Sequence, residues 1–128
     1  MEAHGSRFYE DVCVPVGALA QLIRSIREIC DRLGVEVTVS GHGGDGNLHP
    51  AIFFDPAIEG SRERAENAFG QIVGLALDLG GTIAGEHGIG SLKKRYLPRE
   101  LGEAEMARQR AVKALFDPLG IMNPGRVY

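Results

Sequence analysis

Tryptophan is absent, and only two cysteines, five phenylalanines and three tyrosines occur among 128 residues. Two cysteines cannot build a disulfide framework, and the spacing of Cys13 and Cys30 matches no zinc pattern. Both lie among apolar neighbours, so they read as reduced core residues of a cytoplasmic protein. No apolar run approaches the ~18 residues that a transmembrane helix needs. Met1–Phe8 lacks the apolar stretch of a secretory leader. A formal net charge of −3 carries no basic excess, which argues against a nucleic-acid partner. Residues 1–8, with Gly5-Ser6 close behind the initiating Met, are set aside as an appended or disordered stretch. The domain is expected over 9–128.

Glycine, by contrast, is abundant at 18 residues, and much of it clusters at 41–46 and 80–90. Three of the four histidines lie in or beside those clusters. Between them the apolar period alternates. Residues 9–14 read as a short strand ended by Pro15. Leu19, Leu22, Ile23, Ile26, Ile29, Cys30 and Leu33 follow a helical period that stops at Gly34. Residues 35–40 alternate as a half-buried strand, and 48–54 form its partner. A second amphipathic helix from about Ser61 carries Ala65, Phe69, Ile72, Leu75, Ala76 and Leu79 and ends at Gly80-Gly81. Thr82–Ala84 is a short fourth strand. The order predicts an α+β fold: a ferredoxin-like βαββαβ antiparallel sheet with two helices on one face. Further helices are expected over 88–96 and 103–116, followed by an extended or turn-like tail.

If 43–46 is a four-residue hairpin loop, His42 opposes Asn47, Val39 opposes Pro50 and Val37 opposes Ile52. One face is then apolar and must meet the helices. The other carries Glu36, Thr38, Ser40, His42, Asn47, His49, Ala51 and Phe53. A slip of one residue would mix the sets, so this register is well specified. On the second face His42 and His49 are diagonal neighbours, with Cα atoms roughly 7–8 Å apart. That separation allows two imidazoles to converge on one ion. The topology brings the end of the fourth strand to the same edge, and Glu86-His87 comes directly after it. Two histidines and a carboxylate make a ligand set for a divalent metal with open positions. His87 is then left to act as a base. Gly41–Gly46 also fits G-x-G-x-x-G, but the next element is a strand rather than a helix, so a dinucleotide-binding reading is rejected. A metal-dependent hydrolase using His42, His49 and Glu86, and a non-catalytic ferredoxin-like binding module, both stay open on these residues alone.

The motifs themselves resemble a known family. Residues 41–49, Gly-His-Gly-Gly-Asp-Gly-Asn-Leu-His, resemble the G-H-x-G-D-G-N-L-H motif of FAD-linked oxidases and dehydrogenases with a vanillyl-alcohol-oxidase-type flavin domain. Residues 85–90 resemble their G-E-H-G-I-G motif, and Lys93 and Leu97 suit the family pattern just downstream of it. Residues 116–126 resemble the D-P-x-G-I-L-N-P-G-K ending, with Arg126 in place of the commoner Lys. The family includes the glycolate oxidase flavin subunit, D-lactate dehydrogenase and D-2-hydroxyglutarate dehydrogenase.

The resemblance implies oxidation of a D-2-hydroxy acid to the 2-oxo acid, with hydride passing to FAD. It implies Zn or Mn held by His42, His49 and Glu86, and substrate contacts from His42, Asn47 and His49. His87 becomes the base, and Glu86, His87 and Asn123 lie towards the flavin. Family members carry a FAD-binding domain longer than this whole chain, so the chain is expected to be a C-terminal substrate domain, colourless and inactive alone. Some metal-binding members have a polar residue where Ala51 stands. The electron acceptor, the particular hydroxy acid, homo-oligomerisation, membership of a larger complex and peripheral membrane attachment of the parent are left open.

Overall fold

A computed structural model describes residues 6–128, which form two compact units, one ending at His87 and the other running from Gly88 to Tyr128. The first unit holds strands β1 (Ser6–Tyr9) and β2 (Val12–Cys13), helix α1 (Leu19–Leu33), strands β3 (Val37–His42) and β4 (Asn47–Phe54), and helix α2 (Ser61–Asp78). It is α+β, as its pattern predicts. β4 is central, with β3 on one edge and β1 and β2 together on the other.

β1 and β2 are one strand of the expected fold, interrupted at Glu10-Asp11. Their registers on β4 are continuous: Tyr9 pairs with Ala51 and Val12 with Leu48. Glu10 therefore falls opposite Pro50 and Asp11 opposite His49. The Phe53 N–H donates across to Glu36 in the β3 direction. By alternation, position 50 turns its backbone towards β1, and proline has no N–H to offer there. The strand breaks at that point. The N-terminal boundary drawn from sequence is corrected by this pairing: Ser6–Phe8 belong to the sheet. Residues 1–5 lie outside the described residues.

The β3–β4 hairpin has the expected register, with His42 opposite Asn47, Val39 opposite Pro50 and Val37 opposite Ile52. Phe8 and Ile52 face the helices, and the Phe8 ring lies 6.4 Å from that of Phe69 in α2. Leu22, Ile26, Ala65, Phe69, Ile72 and Ala76 complete this core. The parity of the pairing turns His42, Asn47 and His49 to the other face. In α2 the buried stripe also includes Ala68 and Val73, whereas Leu75 is only half-buried. The fourth strand is reduced to a single antiparallel bridge, Thr82 with Cys13, closed by two backbone hydrogen bonds of 2.9 Å. Cys13 and Cys30 are both free thiols. Burial, and secondarily Asp31 beside it, pushes the Cys30 thiol up to about 11, so it stays protonated and inert.

Gly46 closes the hairpin loop on β2. Its carbonyl accepts the Val14 N–H at 3.0 Å, and its φ is +82°. A Cβ there would stand 1.9 Å from the Val14 carbonyl oxygen. Neither partner is a side chain that can swing away. Gly46→Ala is therefore expected to cost more than about 2 kcal/mol of stability. Gly44→Ala, with nothing within 4 Å, should cost under about 0.5 kcal/mol. Urea unfolding midpoints of the two variants make the comparison, and equal midpoints would contradict this account of the loop.

In the second unit the expected helix over 88–96 is replaced by turns and a short 3₁₀ segment, Lys94–Tyr96. Gly88 and Gly90 adopt φ of +70° and +56°, which an α-helix does not admit. Helix α3 (Leu97–Phe116) is broken at Gly102, so its main run begins at Glu103 as the sequence predicts. Asp117 ends it. Its carboxylate takes the Lys113 ammonium and the N–H groups of Ile121 and Met122. Lys113 above all holds that carboxyl below its ordinary range.

Candidate metal and substrate site

The site begins with the strand alternation that puts His42 and His49 on the helix-free face. His49, in mid-strand on β4, is buried; His42, at the end of β3, is exposed. The chain then leaves the Thr82 bridge and turns across that face. This turn places one oxygen of Glu86, Oε1, among three imidazoles. It lies 3.1 Å from His49 Nε2, 3.6 Å from His42 Nε2 and 3.8 Å from His87 Nε2. The rings themselves are close: His42 and His49 meet edge-on at 5.2 Å, and His49 and His87 lie at 4.9 Å. The sequence-predicted quartet is thus brought together.

Two ligand atoms each about 2.1 Å from one ion stand roughly 3.0–3.5 Å apart. The His49–Glu86 and His42–Glu86 distances are of that size. The donor atoms of His42, His49 and Glu86 all lie within 4.8 Å of one another. His49 Nδ1, on the ring edge away from the Nε2 that meets Glu86, and Asn47 Oδ1 are buried with no hydrogen-bond partner among the described residues. Two imidazoles and a carboxylate at these spacings are a donor set of the divalent-metal type. The residues therefore fit a divalent ion.

Sequence reasoning missed three neighbours. The Tyr9 ring stacks on His49 at 6.0 Å and lies 5.5 Å from His87. A carboxylate oxygen of Glu10 is 3.8 Å from His87 Nδ1. Asp11 is wholly buried, and its Oδ2 accepts the His87 backbone N–H at 2.9 Å. Asp11, His49 and His87 form a second group with donor atoms within 4.8 Å. The run Tyr-Glu-Asp-Val-Cys-Val carries two adjacent carboxylates, and only the fold, which buries Asp11 and leaves Glu10 half-buried, tells them apart. Asn123 lies in the second unit at φ +47°, its carbonyl accepting the Arg126 N–H at 3.1 Å. It lines an open depression of about 590 Å³ with Gly90, Phe116, Met122 and Arg126.

Three histidines and a glutamate thus meet on the helix-free face of an α+β fold, within the motifs at 41–49 and 85–90. Residues 1–127 match FAD linked oxidases, C-terminal domain, and the chain belongs to that family. It is 40% identical over 119 residues to the glycolate oxidase subunit GlcD of Bacillus subtilis, covering 93% of this chain and 25% of that protein. It is 43% identical over 117 residues to the mitochondrial D-lactate dehydrogenase [cytochrome] of Arabidopsis thaliana, covering 91% and 21%. The Escherichia coli K12 GlcD subunit is 39% identical over 116 residues, covering 91% and 23%. The chain thus spans about a quarter of the length of these relatives. Among the described residues no helix is long and apolar enough to cross a membrane.

Proposed function

We propose that this chain is the substrate and metal side of an FAD-dependent dehydrogenase that oxidises a D-2-hydroxy acid of the glycolate or D-lactate class. The convergence of His42, His49 and His87 on Glu86 carries this reading, and the family gives it chemical context. When bound, a divalent ion such as Zn or Mn supplies Lewis-acid binding for the substrate's carboxylate and hydroxyl oxygens, and FAD supplies the hydride acceptor. His42, His49 and Glu86 hold the ion. The exposure of His42 and Glu86 leaves that side open to substrate, and Asn47, paired with His42 across the hairpin, is a further substrate contact. His87 takes the hydroxyl proton at Nε2, the nitrogen that faces Glu86 and the other rings. Glu10, beside Nδ1, shares the positive charge of the protonated ring. Asn123 contributes on the flavin side.

Leu115, Phe116, Leu119 and Ile121 are strongly exposed, an apolar surface of the kind a neighbouring domain covers. This supports the reading that the chain works within a longer flavoprotein and is colourless and inactive alone. The test is anaerobic mixing of the longer parent protein, purified with its flavin, with D-lactate, L-lactate or glycolate. Bleaching of the flavin band by D-lactate or glycolate but not by L-lactate is expected. No bleaching by any 2-hydroxy acid would overturn the assignment.

A further inference from the structure

The ligands of the site come from separate pieces of chain. His42 and His49 are fixed by the β3–β4 ladder, but Glu86 and His87 sit on a turn that no strand holds. Something must set that turn's height above the sheet. Asp11 is placed to do so. It is fully buried at the break between β1 and β2, directly across from His49. Its Oδ2 accepts the His87 N–H at 2.9 Å, and its carboxylate lies within 4.8 Å of donor nitrogens of both His49 and His87. The turn is pressed against it: a Cβ on Gly85 would stand 2.3 Å from Asp11 Oδ2 and 3.1 Å from Asn47 Oδ1. Only glycine lets the backbone approach a carboxylate this closely.

We propose that Asp11 is the positioning residue of this site, its buried carboxylate docking the Gly85–Glu86–His87 turn onto His49 so that the ion ligands stand at coordinating distance. This rests on the metal reading above. Because Asp11 acts through the turn, the effect of removing it should be graded by what remains to accept the His87 N–H. Asparagine keeps the volume and an acceptor oxygen but loses the charge, and charged acceptors bond about twice as strongly as neutral ones. Alanine keeps neither.

The experiment uses this chain with Co²⁺ as the probe, in wild type, Asp11→Asn and Asp11→Ala. Visible absorption reports coordination geometry, titration reports affinity, and NMR hydrogen exchange reports the His87 amide. Asp11→Ala is expected to weaken Co²⁺ binding by about 10–100-fold, the usual cost of losing an outer support of a metal site. It should also alter the Co²⁺ spectrum and speed His87 amide exchange, with Asp11→Asn intermediate in all three. A merely structural Asp11 would lower the unfolding midpoint while leaving the spectrum of the bound ion unchanged, and that result overturns the proposal. If Asp11→Ala does not fold, Asp11→Asn with wild-type spectrum and exchange overturns it equally. If neither this chain nor the longer parent binds Co²⁺, the metal reading fails; the His87 amide still judges Asp11, and unchanged exchange in the variants refutes the docking.

Discussion

In the longer parent protein, His87→Ala is expected to lower kcat by about 10²–10⁴-fold, the usual contribution of a general base, while flavin and metal contents stay near those of wild type. The reason lies in how His87 is held. Its backbone N–H is tied to Asp11 and its ring lies against Tyr9 and His49. Its Nε2 is the farthest of the three imidazole nitrogens from Glu86 Oε1, at 3.8 Å. Removing the ring therefore deletes a proton acceptor at the edge of the ligand set and leaves His42, His49 and Glu86 in place. Kinetics with D-lactate, flavin absorbance and metal analysis on one preparation check this. His87 also belongs to the group with Asp11 and His49, so the opposite outcome is chemically meaningful. Loss of metal with kcat preserved after metal is restored would make His87 a ligand instead of the base.

The second large effect is on metal affinity. His42→Ala and His49→Ala are each expected to weaken Zn²⁺ or Mn²⁺ binding to the parent by about 100-fold or more, since deleting a ligand should cost at least as much as deleting the group behind it. Their side effects should differ. The His42 side chain is 58% exposed and that of His49 only 5%. Truncating His42 should leave the unfolding midpoint nearly unchanged. Truncating His49 also opens a cavity beneath Tyr9 and lowers the midpoint. Binding in every form should weaken on acidification, because protons compete with the ion for the imidazole nitrogens. Calorimetric titration of the three proteins decides it. Equal affinities would leave the histidines as substrate contacts and remove the metal from the proposal.

The hairpin was legible from sequence because a period-two pattern has only one register that keeps Val37, Val39 and Ile52 together and His42 and His49 opposite them. The helix from Leu19 to Leu33 and the one from Ser61 to Asp78 were legible for the corresponding reason, a 3.6-residue period stopped by glycine. The turns over 88–93 were not. Local apolar spacing resembles a helix there, while Gly88 and Gly90 take left-handed conformations that the spacing does not reveal. The interruption of the first strand was hidden for a different reason. It arises from a proline that is distant in sequence, Pro50, whose missing N–H is felt only once β4 lies beside it.

For the site, local sequence determined which groups could be chemical: two histidines on one face of the hairpin, and a Glu-His pair released where the fourth strand ends. It also determined the face, because alternation along a strand is a local property. Distances are not local. That Glu86 Oε1 meets His49 Nε2 at 3.1 Å depends on how the 85–87 turn docks, and the docking partner is Asp11, 76 positions from His87 in the chain. Nothing in the spacing around Glu86 encodes that carboxylate. Only the tertiary structure, by placing β2 beside β4 and Thr82 beside Cys13, brings Asp11 under the turn. The His87 N–H then bonds to a fully buried carboxylate, and that contact decides where Glu86 and His87 stand.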